Sequence, residues 1–408
     1  MNNPVESELA ERRLEMRGDR QCGNNDLKAR GYMKKKLVFA VGLLVCSFVG
    51  TAYGQTTLKG AFKRTRIGAA INARQINGQD PRAAGIIATQ FSTISPENDL
   101  KWERLHPKPG VYNFDIADKY VELGEKNKMF IVGHTLVWHS QTPRWVFQDD
   151  AGKPVSRDEL LKRMKEHIST VVGRYKGRIG GWDVVNEALN EDGTMRQSQW
   201  YKIIGDDFIE KAFEFAHEAD PKAELYYNDY SLENEPKRKG AVEIVKKLKA
   251  KGIPIHAVGL QGHDSLDWPT LEQQDATILA FKNLGVKVAI TELDVSVLPS
   301  PDNQHSADIS ATAEAKAAAM AALNPYTAGL PEKAQQQLAD RYRDLFAVYM
   351  KYRDTVERIT FWGVTDGDSW KNGFPVRGRT DYPLLFDREG KPKPAFDAVI
   401  KTASVKKK

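Results

Sequence analysis

Eight short apolar, β-rich runs recur along the chain, separated by amphipathic stretches. They cover 65–71, 91–96, 129–138, 181–188, 223–230, 256–263, 286–294 and 358–366. Between them, 157–175 puts Leu160, Leu161, Met164, Ile168 and Val171 on one helical face. The stretch 206–219 does the same with Phe208, Ile209, Ala212, Phe213 and Ala216. Eight βα units in one run imply a parallel sheet closed into a barrel, so the predicted fold is α/β, a single (β/α)8 TIM barrel. An open doubly wound sheet is the alternative. It usually has fewer strands and a Gly-rich phosphate turn, and neither GxGxxG nor a P-loop follows the first run. No internal repeat or Ser/Gly linker divides the chain, which predicts one catalytic domain over 55–408. An extended loop follows the seventh strand: 296–337 is rich in Pro, Ala and Asp, with one Ala-rich helix expected over 311–322.

The N-terminus reads as an address. Lys34, Lys35 and Lys36 precede an apolar run over 37–49, then Thr51-Ala52-Tyr53-Gly54. This is a charged n-region, a short h-region and small residues at the −3 and −1 positions of a cut after Gly54. At about 13 residues the run is too short for a bilayer, which needs roughly 20. Residues 33–54 are therefore expected to be a secretory signal peptide starting at Met33, and 1–32 an upstream extension that such a start leaves untranslated. The mature protein would be secreted or periplasmic, with no membrane association. Both cysteines, Cys22 and Cys46, precede the cut, which excludes disulfides and Cys-based metal or nucleophile chemistry in the mature chain.

Charge narrows the partners. The chain carries 60 Lys/Arg and 54 Asp/Glu, of which 1–54 hold nine and six, so the rest is net +3. Lys406, Lys407 and Lys408 account for that excess, leaving no basic stripe to neutralise phosphates and no nucleic-acid partner. A mean hydropathy of −0.52 excludes a polytopic membrane protein, and 9% aromatics argue against disorder.

Catalytic side chains of such a barrel come from the C-terminal ends of its strands. Here those ends hold Glu97-Asn98, His134 and Trp138, Asn186-Glu187, Asn228-Asp229, Gln261 and His263, Glu292 and Asp294, and Trp362. Unpaired polar atoms in a core cost several kcal/mol, so their concentration at one rim implies a site. Glu187 and Glu292, on strands four and seven, would oppose one another across the barrel mouth. A carboxylate pair flanking a cleft suits glycosidic cleavage. Either Glu alone is as often a structural ion pair. Trp102, Trp138, Trp145, Trp362 and Trp370, with Tyr227 and Tyr230, offer faces for sugar rings, and Trp102 and Trp370 have the least core-like contexts. Glu292 and Asp294, two apart on a strand, share a side, so a chain Glu292···His263···Asp294 could aim the first. A core histidine bonded to one acid is the plainer alternative. Adjacent Asn186 and Glu187 can both face the cleft only if strand four bulges or ends there. A metal-dependent sugar isomerase using His263, Glu292 and Asp294 as ligands is a competing class. It would need several carboxylates converging on a hard cation, and indoles and amides fill the rim instead.

Several segments resemble glycoside hydrolase family 10, the retaining endo-β-1,4-xylanases. They are Ser95-Pro96-Glu97-Asn98-Asp99-Leu100-Lys101-Trp102, His134-Thr135-Leu136-Val137-Trp138-His139, Trp182-Asp183-Val184-Val185-Asn186-Glu187 and Ile290-Thr291-Glu292-Leu293-Asp294. Phe361-Trp362-Gly363-Val364-Thr365-Asp366 and Pro383-Leu384-Leu385-Phe386-Asp387 extend the match, which covers the mature chain in order. The resemblance implies Glu187 as acid/base and Glu292 as nucleophile. It implies Glu97, Asn98, Lys101, His134, Trp138 and Gln141 in the glycone subsites, and Asn186, Gln261, His263, Trp362 and Trp370 around the cleaved bond. Tyr227 and Asn228 would form the first leaving-group subsite. His134, Trp362 and Trp370 crowding the sugar's C5 would favour xylose over a glucan. Leu100 stands where Met is usual, and Ser231 where Asn often follows. The implied partners are xylan and xylo-oligosaccharides, acted on by a monomer without cofactor or metal. Like-charge repulsion from ionised Glu292 is expected to keep Glu187 protonated.

Overall fold

The structure, a computed structural model, describes residues 56–300 and 323–403. The leader, the upstream extension, both cysteines, the 311–322 helix and the terminal lysines lie outside the described residues. Among the described residues, nine parallel strands follow in chain order: β1 (Arg66–Ile71), β2 (Thr93–Pro96), β3 (Phe130–Trp138), β4 (Gly181–Asn186), β5 (Glu224–Asp229), β6 (Ala257–Leu260), β7 (His263–Ser265), β8 (Lys287–Ser296) and β9 (Val356–Phe361). Eight of them run side by side from β6 back to β1, then through β9 to β8, and the β6–β8 pairing closes the barrel. The strands are buried along nearly their whole length, as parallel strands covered on both faces must be.

Helices cover the outside through stripes at helical spacing. Ser156 caps Arg157–Arg174 by accepting from the Glu159 N–H at 3.2 Å, and Leu160, Met164, Ile168, Val171 and Val172 face the barrel. Phe208–Ala219 buries Phe208, Ile209, Ala212, Phe213 and Ala216 in the same way. The loop after the seventh strand is shorter than 296–337, because a helix begins at Glu332 and runs to Lys351. Its buried Leu338, Tyr342, Leu345, Phe346 and Tyr349 recur at the same spacing, a stripe the Pro- and Ala-rich approach obscures.

Three strands stop two or more residues short of expectation, each at a backbone break. The sixth run stops at Leu260 because Gly262, at φ +75°, turns the chain. Residues from His263 then form β7, a separate ladder on the end of β8 with His263 opposite Asp294. The last strand spans Val356–Phe361 and ends before Gly363, whose φ of +133° suits only glycine. Asp366 sits beyond it in a short turn, where Lys393 Nζ reaches its carboxylate at 2.9 Å. The fourth strand ends at Asn186, with Glu187 at φ +55°.

Candidate active site

The geometry of the rim begins with register. Trp138, Asn186 and Asn228 are paired neighbours at the ends of β3, β4 and β5, brought level by irregularities between His134 and Val137 and between Asp183 and Val185. At the next position Glu187 adopts a left-handed backbone, which costs a non-glycine residue roughly 1–2 kcal/mol. That turn lets successive side chains face the same mouth: Asn186 Nδ2 donates to Glu187 Oε1 at 3.2 Å. Across the barrel, an irregular register between Ile290 and Leu293 brings Glu292 to the rim.

The two carboxylates are joined by an amide relay. Asn228 Nδ2 donates both to Asn186 Oδ1 (2.8 Å) and to Glu292 Oε1 (2.9 Å), while its own Oδ1 accepts from Thr291 Oγ1 at 2.6 Å. Gln261 Nε2 donates to Glu187 Oε1 at 2.9 Å, and Trp138 Nε1 to Oε2 at 2.8 Å. His263 stands between Glu292 Oε2 (3.2 Å from Nε2) and Asp294 Oδ2 (3.1 Å from Nδ1). Trp370 Nε1 donates to the same Asp294 oxygen at 2.7 Å.

These surroundings push the acids apart. Burial raises the Glu187 carboxyl above its ordinary range and the charge of Glu292 adds to that, against the donors Gln261 and Trp138. Burial also opposes ionisation of Glu292, but the His263 hydrogen bond and charge and the Asn228 amide outweigh it, so its carboxyl lies below the ordinary range. Burial would lower His263, yet Asp294 and Glu292 hold it up at about 9. At that value the imidazole donates from both nitrogens at neutral pH, Nε2 to Glu292 and Nδ1 to Asp294. The largest cause of the Glu187 shift is burial; repulsion from Glu292, the cause expected from the sequence, adds to it.

One wall of the mouth gathers the remaining polar groups. Lys101 Nζ donates to Asn98 Oδ1 at 3.0 Å and lies 5.0 Å from the Trp138 ring centroid. Asn98 Nδ2 donates to Glu97 Oε1 at 3.2 Å, and Gln141 Nε2 approaches Asn98 Oδ1 at 3.5 Å. His134 is fixed by Asp183 (Nδ1 to Oδ2, 2.9 Å), and the Trp362 ring lies edge-on to it at 5.5 Å.

Two placements are corrected. Tyr227 and Asn228 are wholly buried, so neither presents a surface to a leaving-group sugar; they back the carboxylates from inside the barrel wall. Trp102 is 2% exposed and stacks on His167 at 3.6 Å within an aromatic cluster, because it opens a helical turn whose face is covered. Ser231 occupies a left-handed position, φ +51°, a conformation that favours Asn. The sequence marks Asp229 only as a polar strand end and gives no role to Asp183, which lies within the quoted Trp182–Glu187 motif, or to Arg196 and Lys237. Arg196 and Lys237 carry no local signal at all.

Residues 55–402 match the family described as glycosyl hydrolase family 10. The chain is 46% identical over 370 residues to endo-1,4-beta-xylanase A of Xylanibacter ruminicola, covering 90% of this chain and 99% of that protein. It is 44% identical over 337 residues to an endo-1,4-beta-xylanase of Geobacillus stearothermophilus, covering 82% and 94%. A solved GH10 endoxylanase from a sugarcane soil metagenome superposes with a TM-score of 0.79 at 45% identity, covering 86% of this chain and all of that one.

Proposed function

The chain belongs to glycosyl hydrolase family 10 and is an endo-1,4-β-xylanase, and from that premise we propose that it cuts xylan and xylo-oligosaccharides with retention, through a covalent ester on Glu292. The observation that carries this reading is the opposed environment of the two acids: burial and the charge of Glu292 raise the Glu187 carboxyl, while the His263 hydrogen bond brings that of Glu292 down. Glu187 gives its proton to the leaving oxygen as Glu292 attacks the anomeric carbon. The ester cancels the charge on Glu292, removing one of the causes that raise Glu187. Its pKa falls, and it becomes the base that takes a proton from the incoming water. Because burial persists, the fall is partial.

Glu97, Asn98, Lys101, His134, Trp138 and Gln141 are proposed to hold the glycone sugars, and Asn186, Gln261, His263, Trp362 and Trp370 to surround the cleaved bond. His263 and Asp294 orient the nucleophile. The leader at 33–54 supports export to the periplasm or beyond.

A proton NMR time course with xylohexaose tests retention. Retaining carboxylates stand about 5–5.5 Å apart, leaving no room for water on the opposite face. The β-anomer is expected first at internal cleavage sites; early α-anomer would show inversion. The pH profile tests the environment of Glu187. Gln261 donates to its ionised form, so Gln261→Met is expected to raise its pKa further and keep it protonated to higher pH. The basic limb of kcat/KM then moves upward; an unmoved limb, or a downward move, would remove Gln261 from that role.

A further inference from the structure

Both polar groups of the peptide that follows Glu187 are gripped by side chains that stand behind the cleft. Its carbonyl accepts from Arg196 Nε at 3.2 Å, and the next N–H, that of Ala188, donates to Tyr227 Oη at 3.3 Å. Tyr227 Oη donates in turn to Asp229 Oδ2 at 2.5 Å, and Asp229 Oδ1 meets Lys237 Nζ at 3.1 Å. Lys237 also reaches Glu191 at 3.1 Å and lies 3.2 Å from the Tyr230 ring centroid. Tyr230 Oη accepts from Arg196 Nη2 at 2.9 Å, which closes the ring of contacts. Tyr227, Asp229 and Lys237 have no solvent exposure.

Fold stability is a weak reason for this arrangement. A buried Lys–Asp pair costs much to desolvate, and apolar residues of similar volume often serve a fold as well. What the cage does hold is the one left-handed peptide that turns Glu187 back to the mouth beside Asn186. We propose, on the reading of Glu187 as acid/base, that Arg196, Tyr227, Asp229 and Lys237 are its positioning residues. They fix the peptide that follows Glu187 and thereby aim its carboxyl at the leaving oxygen. Released from them, Glu187 relaxes toward an ordinary backbone conformation and the carboxyl swings away, while Glu292, held by His263 and Asn228, stays in place.

That asymmetry gives the test a readout that general loosening would not produce. A sugar leaving group needs the proton, whereas dinitrophenolate leaves without it. Tyr227→Phe keeps the ring and removes the link from Ala188 to Asp229. On xylohexaose its kcat is expected to fall by roughly 10- to 100-fold at unchanged KM, since misplacement by about 1 Å can cost ~10²-fold. Pre-steady-state release of dinitrophenolate from 2,4-dinitrophenyl β-xylobioside should stay at the wild-type rate. Arg196→Gln, at a half-buried site, carries the same test if circular dichroism shows Tyr227→Phe to be unfolded. Equal losses on both substrates, or no loss on either, overturn the proposal. Glu187→Gln, run in parallel, separates the two levels. If it too loses both substrates equally, the acid/base reading itself falls. If it splits them and the cage variants do not, only the positioning role does.

Discussion

Glu292→Ala should abolish turnover on every xylosidic substrate, with kcat falling by on the order of 10⁵-fold, as removal of a nucleophile does elsewhere. A good leaving group cannot compensate, because the missing event is attack at the anomeric carbon. The fold should survive the change. The methyl group leaves His263 paired with Asp294 at 3.1 Å, and the Asn228 amide keeps its Asn186 partner at 2.8 Å. Activity on xylohexaose and on 2,4-dinitrophenyl β-xylobioside, with circular dichroism as the folding control, makes the measurement. Added azide supplies the diagnostic product: in the space left by the carboxylate it attacks from that same face and displaces dinitrophenolate, giving the α-xylobiosyl azide. Residual turnover above about a hundredth of wild type would place the nucleophile elsewhere, since a carboxylate that merely stabilised charge would be worth ~10²–10³-fold.

Glu187→Gln should separate the two halves of the reaction. With xylohexaose the loss is expected to be ~10²–10⁴-fold, the usual contribution of a positioned proton donor. With 2,4-dinitrophenyl β-xylobioside the first dinitrophenolate should be released rapidly, and the ester on Glu292 should then accumulate because no base activates water. Azide needs no base, and by attacking the ester it should restore turnover and yield the β-xylobiosyl azide. The opposite anomers from the two variants identify which acid forms the bond and which moves the proton. Parallel loss on both substrates, without rescue, would contradict the assignment. The amide keeps the volume of the acid, but the Gln261 and Trp138 donors now meet one oxygen and one NH2 group rather than two oxygens. The residual activity therefore also reports how far those donors tolerate a changed partner.

Several parts of the site could be read in advance because they depend on short-range pattern. Glu292 and Asp294 share a side by strand alternation, and the His263 that joins them ends a neighbouring run. The adjacency of Asn186 and Glu187 could be stated only as a condition, that the strand must bulge or end. The structure meets it through φ +55° at Glu187, a conformation no local residue signals, because glutamate has no preference for it. Tyr227 and Asn228 were misplaced for a related reason. A motif records that residues occur together at a strand end, but not whether a side chain meets solvent or the wall behind it. Trp102 follows a polar run, yet its ring is covered by His167 from another helix.

The sequence by itself determined the barrel, the rim where polar groups collect, and the two carboxylates on opposing strands. Apolar periodicity and the C-terminal position of residues on parallel strands are properties of neighbouring residues, legible without any contact between distant ones. Only the tertiary structure decided how those carboxylates differ and how Glu187 is held. Burial and donors from other strands push Glu187 up, and the His263 hydrogen bond brings Glu292 down. A turn unfavourable to glutamate persists because Arg196, Tyr227 and their buried partners, from loop, strand and helix, converge on it. Both effects arise from groups far apart in the chain, and they exist only once the barrel has closed.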